Sequence, residues 1–86
     1  MKIIFSNRFK KDFKNLDNSL KKIVEEKLKL LVENIFHPSL RTKKIQGKEE
    51  IFECSINMSI RITWYYSQDA IYLRTIGKHE DVFKNP

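Results

Sequence analysis

The chain has 86 residues, of which 41% are hydrophobic and 33% are charged, and its formal net charge is +6. This length favours one domain over residues 1–86, and the composition excludes a disordered chain. No apolar run approaches the roughly 18 residues that span a bilayer, and no signal peptide is predicted. The single cysteine, Cys54, excludes an internal disulfide, so we expect a cytoplasmic protein. The excess of cations favours a polyanionic partner.

The first half of the chain predicts a short strand and a helical hairpin. Residues 2–5 form an apolar run with two β-branched isoleucines, which is typical of a strand. Ser6 can cap a helix whose apolar residues recur at spacings of three and four, namely Phe9, Phe13 and Leu16. Asp17 can cap a second helix with an apolar stripe through Ile35. Pro38 should end that helix, because the residue before proline is driven out of the helical region.

The second half changes to a period of two, which predicts strands. We expect them over residues 40–45, 51–58, 60–66 and 70–76. The predicted class is therefore α+β: a short N-terminal strand, a helical hairpin, and an antiparallel β-meander with the two helices packed on one face of the sheet.

The two central strands both place apolar side chains at even positions. A three-residue loop at 57–59 keeps this parity and sets Ser55 opposite Arg61. The helices should cover the even face. The opposite face, called the odd face from here on, should be left to solvent, as one face of an antiparallel sheet often is. Its members are Glu53, Ser55, Asn57, Arg61, Thr63 and Tyr65.

Two side chains on or beside the odd face are candidates for chemistry. Arg61 lies in mid-strand, where a guanidinium can bind a phosphate with two parallel hydrogen bonds. Alternatively, Arg61 only pairs with Glu53 across the strands, an interaction worth little at a surface. His79 follows the predicted strand end at Gly77, where an imidazole can act as a general acid or base. The alternative is an ordinary exposed histidine.

Basic residues cluster around Gly47 and recur after Gly77. Such side chains can follow a phosphate backbone, although a basic soluble surface also contains them. They are Arg41, Lys43, Lys44, Lys48 and Lys78. Phe83 could stack on a base. Two histidines far apart in sequence and one cysteine do not supply the ligands of a usual metal site, so we expect no metal and no other cofactor.

Three segments carry a family resemblance. In chain order they are residues 37–47 (HPSLRTKKIQG), 61–65 (RITWY) and 76–83 (IGKHEDVF). Together with the predicted order of elements they resemble the RelE/ParE toxin superfamily over essentially the whole chain. The ending is most similar to the YafQ and YoeB branches, in which a histidine follows the last strand and an aromatic residue stands near the C-terminus. The resemblance implies a toxin of a type II toxin–antitoxin pair, with a cognate antitoxin as partner.

The resemblance also implies an activity. Members of the RelE, YoeB and YafQ branches cut mRNA in the ribosomal A site without a metal, by attack of the ribose 2′-OH on its own phosphate. By position, Arg61 matches the arginine on the scissile phosphate and His79 the histidine at the leaving 5′-oxygen. Phe83 falls where an aromatic supports the substrate base. The cations that would bind RNA are Arg41, Lys43, Lys44 and Lys78.

The resemblance does not fix the general base. The YoeB branch has a carboxylate where this chain has the basic stretch 41–44, and the strand lysines of the RelE branch match roughly Glu53 and Ser55. Glu53 is the preferred candidate because it shares the face of Arg61, with Lys43 or Lys44 as the alternative. Two other functions stay open: a ParE-like inhibitor of DNA gyrase, and a non-catalytic RNA- or protein-binding member of the same fold.

Overall fold

The computed structural model describes residues 2–45, 47 and 50–86. Within these residues the chain forms three α-helices, a 3-10 turn and five strands. In chain order they are β1 (Lys2–Phe5), α1 (Asn7–Lys14), α2 (Asn18–Glu33), the 3-10 turn (Pro38–Leu40), β2 (Lys43–Lys44), β3 (Phe52–Ser55), β4 (Ile60–Ser67), β5 (Ala70–Lys78) and α3 (His79–Lys84). In this described part of the chain, no helix has the length and apolar character needed to cross a membrane.

The five strands form one mixed sheet in the order β1-β5-β4-β3-β2. β1 lies parallel to β5, and the other neighbouring strands are antiparallel. This arrangement confirms the predicted α+β class with its N-terminal strand and meander. The predicted hairpin register is also confirmed, since Ser55 pairs with Arg61. The parity of the two central strands was therefore sufficient to place Arg61 and Glu53 on one face.

The helices cover the even face of the sheet, as predicted. Ser6 and Asp17 cap α1 and α2, and their side-chain oxygens accept hydrogen bonds from the backbone N–H groups three residues further on, at 3.0 Å and 2.8 Å. The helices and the sheet share one core. Its fully buried members include Phe9, Val24, Leu31, Ile62 and Trp64. Each large apolar side chain so buried contributes about 1.5–3 kcal/mol to folding.

The segment between α2 and β3 differs from its prediction. The second helix ends at Glu33 because Asn34 is extended, with φ −159° and ψ 98°, so the prediction that the helix continues to Pro38 is wrong. The strand predicted over 40–45 shrinks to β2, because Arg41 closes the 3-10 turn in the left-handed region at φ 49°. This backbone turn reverses the chain before a longer strand can form.

The prediction of an open odd face is wrong. Residues 79–84, for which no helix or strand is predicted, form α3 and lie across β4 and β5. Val82 is buried there, close to Gly77, where a Cβ would lie 3.5 Å from Val82 Cγ1. Two other residues of the odd face are also shielded from solvent: the side chain of Glu53 is only 3% exposed, and Thr63 is fully buried. The acidic Glu80 in the first turn favours a helix at this point, because it complements the helix dipole.

Candidate functional site

Arg61 is held by its own hairpin. Its Nη1 donates hydrogen bonds to the backbone oxygens of Asn57 and Ile60, at 2.7 Å and 3.2 Å. Its Nε lies 4.0 Å from Oε1 of Glu53, and 16% of the side chain is exposed. These contacts fix the guanidinium before any ligand arrives, so little side-chain entropy is lost when it binds one.

Glu53 is a buried carboxylate between two cations. Its Oε1 lies 3.8 Å from Nζ of Lys43, which pairs with Glu53 across β2 and β3, and 4.0 Å from Nε of Arg61. Its Oε2 is buried and has no hydrogen-bond partner among the described residues. A buried carboxylate costs free energy unless cations compensate it. The cross-strand pairing of Arg61 with Glu53, one of the two alternatives from the sequence, is therefore present and is more buried than a surface ion pair.

A basic cleft of about 240 Å³ opens beside Arg61. Its lining residues are Lys27, Ser39, Arg41, Ser55, Ile56, Asn57, Met58 and Arg61. Arg41 and Arg61 were sequence candidates, whereas Lys27 of α2 was not. Lys27 reaches the cleft through a hydrogen bond from its Nζ to the backbone oxygen of Ser39, at 3.4 Å. Three cations and several hydroxyl or amide groups around one recess suit a phosphate and the sugar attached to it.

His79 begins α3 at the same end of the sheet. Its backbone N–H donates to the oxygen of Ser59 in the β3–β4 loop at 2.8 Å, and Gly77, two residues earlier, pairs with Arg61. The imidazole contacts Phe83 edge to face, with ring centroids 4.4 Å apart. Nδ1 is buried without a hydrogen-bond partner among the described residues, so Nε2 is the nitrogen that can meet a ligand. Phe83 is 41% exposed beside it.

The remaining sequence candidates lie around this group. Lys44 is exposed and its Nζ lies 3.8 Å from a carboxylate oxygen of the exposed Glu50. Lys78 is exposed directly before α3. Lys48 falls outside the described residues. The structure thus brings Arg61 together with Glu53, Lys43 and Arg41, and α3 adds His79 and Phe83 from the neighbouring strand end.

Arg74 on the odd face was not found from the sequence. Thr63 and Trp64 pair with Thr75 and Leu73, which leaves Arg74 as the extra residue of a β-bulge. The centre of its guanidinium lies 5.8 Å from the ring centroid of Tyr65. Arg74 lies two residues after Tyr72, which pairs with Tyr65 on the odd face, and the bulge adds the next residue, Thr75, to that face.

Cys54 is expected to be chemically inert. Burial, together with the neighbouring Glu53 carboxylate, raises the pKa of its thiol to about 12, although Lys27 and Arg61 act in the opposite direction. Because the thiolate is the reactive form, Ellman's reagent at about pH 8 should not label the native protein and should label it fully in guanidinium chloride. Fast labelling without denaturant would contradict this burial.

The fold defines a class of protein. No family model and no curated protein matches the sequence. Solved structures do match, and the chain has the RelE/ParE-like toxin fold. It is similar to YoeB from Staphylococcus aureus, solved as a dimer, with a TM-score of 0.78 and 20% identity over 92% of this chain and 97% of that one.

Two Escherichia coli structures are similar in the same way. YafQ gives a TM-score of 0.79 and 15% identity over 94% of this chain and 96% of that one. YafQ in the DinJ–YafQ toxin–antitoxin complex gives a TM-score of 0.78 and 16% identity over 94% of each chain. At these identities the comparisons show a shared fold, and the resemblance inferred from the sequence is confirmed at that level.

Proposed function

We propose that this protein is the toxin of a type II toxin–antitoxin pair and acts as a ribosome-dependent mRNA endoribonuclease. The observation that carries the proposal is the pre-positioned guanidinium of Arg61, which lines a basic cleft at the end of the sheet where α3 supplies His79. The similarity of the fold to YoeB and YafQ supports the same class. A gyrase inhibitor or a plain RNA-binding module has no need of an acid–base histidine beside a phosphate-binding arginine.

The proposed reaction places four protein groups around one phosphodiester. The ribose 2′-OH attacks the adjacent phosphorus, which forms a 2′,3′-cyclic phosphate and breaks the bond to the 5′-oxygen. Arg61 donates to the phosphate oxygens, whose negative charge grows in the transition state. His79, in its protonated form, gives a proton from Nε2 to the departing 5′-oxygen. Phe83 stacks against the base of the substrate.

Glu53 is the proposed acceptor of the 2′-OH proton. Its Oε2 is the oxygen that neither cation approaches, so it is the atom that can take the proton. Lys43 lies over this carboxylate with a side chain that is 64% exposed and an ion pair of 3.8 Å.

Adjacent lysines provide a matched test of this arrangement. Lys43 contacts the buried Glu53, whereas Lys44 contacts the exposed Glu50 among the residues that the structure describes. We expect Lys43→Met to lower the free energy of unfolding by about 1 kcal/mol and to slow cleavage several-fold, because Glu53 loses a partner. Lys44→Met should change the free energy of unfolding by less than about 0.5 kcal/mol. Equal effects of the two variants on cleavage, measured with denaturant melts as the folding control, would contradict the role of Glu53.

The proposed partners follow from charge. The net charge of +6 and the cleft cations Lys27, Arg41 and Arg61 suit mRNA and the ribosome. The same surface suits an acidic segment of a cognate antitoxin that keeps the toxin silent. A relative of this fold has been solved with its antitoxin, in the DinJ–YafQ complex.

Induced expression in bacteria tests the function. We expect growth arrest, and new mRNA 5′ ends at positions in phase with the codons. Both should disappear in the variants Arg61→Ala and His79→Ala while the protein remains folded. Arrest with intact mRNA, filamentation and DNA damage would contradict the proposal in favour of a gyrase inhibitor. Arrest that both variants retain would contradict the assigned site.

A further inference from the structure

α3 carries two residues of the candidate site but cannot hold itself in place. It has six residues, and isolated helices shorter than about 12 residues are marginal in water. Lys78 at its N-cap makes no side-chain capping bond, and Val82 is its buried residue. The backbone N–H of His79 is tied to Ser59 at the start of the helix. A second attachment is therefore needed at the other end.

A chain of hydrogen bonds inside the odd face supplies this attachment. Thr63 Oγ1 donates to the backbone oxygen of Pro86, just after α3, at 2.8 Å. Thr63 Oγ1 also lies 2.6 Å from Thr75 Oγ1. Because a hydroxyl has one proton, the Thr63 proton goes to Pro86 and Thr75 must donate to Thr63. Both threonines are at most 1% exposed, so water does not compete for these hydrogen bonds.

Arg74 donates to the same oxygen from the side. Its Nε lies 3.0 Å from the oxygen of Pro86, and the β-bulge brings Arg74 and Thr75 to the odd face side by side. Tyr65 supports the guanidinium from its ring face. One backbone oxygen thus receives two donors from β4 and β5, the strands on which α3 lies.

We propose that Thr63, Thr75 and Arg74 are positioning residues that anchor the chain at Pro86 and thereby hold His79 and Phe83 beside the basic cleft. The effect on catalysis rests on the proposed function, whereas the anchoring of α3 does not. Without the anchor, α3 leaves the sheet while the strands stay paired. RNA binding by the basic cleft then persists, weakened only by the loss of the Phe83 contact, and proton donation to the leaving group is lost.

The substitution Thr63→Val tests the anchor with little change of shape. Valine keeps the β-branched form but removes the hydroxyl, which leaves the Thr75 hydroxyl without its acceptor and the Pro86 oxygen without one of its two donors. A lost buried hydrogen bond of this kind should raise the undocked fraction of α3 by about tenfold or more. Thr63→Ser keeps the hydroxyl and is the matched control. Thr75→Val leaves the bond from Thr63 to Pro86, so its effect should be smaller.

Hydrogen exchange and trypsin digestion measure directly how often α3 leaves the sheet. In Thr63→Val the α3 amides should exchange about tenfold faster or more, and trypsin should cut faster after Lys78, while β4 amides stay protected. Thr63→Ser should restore wild-type exchange. If Thr63→Val also speeds exchange of the β4 amides, exchange of the α3 amides is measured in Arg74→Met instead, because this variant replaces a half-buried side chain. Wild-type exchange of α3 in both Thr63→Val and Arg74→Met would overturn the anchor.

Kinetics then test the positioning role. For Thr63→Val we expect a lower rate constant for cleavage of bound RNA, a dissociation constant for RNA raised no more than in Phe83→Leu, and recovery of both in Thr63→Ser. An undocked α3 with a wild-type cleavage rate would overturn the positioning role. If the wild-type protein itself cleaves no RNA while Thr63→Val still releases α3, the proposed function fails and the anchor stands.

Discussion

Replacing Arg61 with methionine is expected to lower RNA cleavage by about 10²–10³-fold, the cost of removing one pre-positioned donor from a developing oxyanion. Methionine keeps the aliphatic packing of the stem, so the loss reports on the guanidinium. The guanidinium is fixed in the apo protein by Asn57, Ile60 and Glu53. Arg61→Lys keeps the charge but not the planar guanidinium. Its cleavage rate should lie between those of the wild-type protein and Arg61→Met. Single-turnover cleavage of RNA on programmed ribosomes measures the effect.

Lys14→Met is the control, because Lys14 is an exposed cation at the end of α1, outside the basic cleft. It should leave the cleavage rate unchanged. Thermal unfolding of each variant separates loss of chemistry from loss of fold. A folded Arg61→Met protein that cleaves at the wild-type rate would contradict the assignment of the phosphate-binding arginine.

Replacing His79 with glutamine should reduce cleavage by about 10²–10⁴-fold, the usual contribution of a general acid or base. The role assigned to His79 is protonation of the 5′-oxygen. An RNA in which sulfur replaces that bridging oxygen has a leaving group that needs no proton. His79→Gln should therefore cut the sulfur-substituted RNA at a rate close to that of the wild-type protein.

Phe83→Leu provides the control for packing, since the imidazole contacts the Phe83 ring at 4.4 Å. It should weaken RNA binding and should show no preference for the sulfur-substituted RNA. An equal defect of His79→Gln on the oxygen and sulfur substrates would contradict proton donation by His79. The loss would then have to be structural.

Local patterns in the sequence predicted much of the fold and half of the site. The pairing of Ser55 with Arg61 follows from the period of two across residues 51–66 and from the short hairpin loop. Both features involve residues close together in the chain, so they can be read from the sequence. The caps Ser6 and Asp17 likewise act within one turn of helix. The face shared by Arg61 and Glu53 follows from these local rules.

The rest depends on contacts between residues far apart in the chain. α3 is short, and its stability comes from Val82 and from the Pro86 anchor on Thr63, which no local pattern indicates. Thr75 joins Arg74 on the odd face because a bulge shifts the parity by one residue, and a bulge here has no sequence signature. Lys27 is one of many helical lysines, and only the packing of α2 beside the 3-10 turn brings it to the basic cleft.

The chemistry of the cut ends is the most direct test of the central claim. Purified protein would be added to ribosomes programmed with a defined mRNA, and both new ends of each product would be identified. The account predicts a 2′,3′-cyclic phosphate on one fragment and a 5′-hydroxyl on the other, at one position within the A-site codon. Arg61→Met and His79→Gln should produce neither of these ends. Intact mRNA in the presence of folded wild-type protein, or ends that carry a 3′-hydroxyl and a 5′-phosphate, would contradict it.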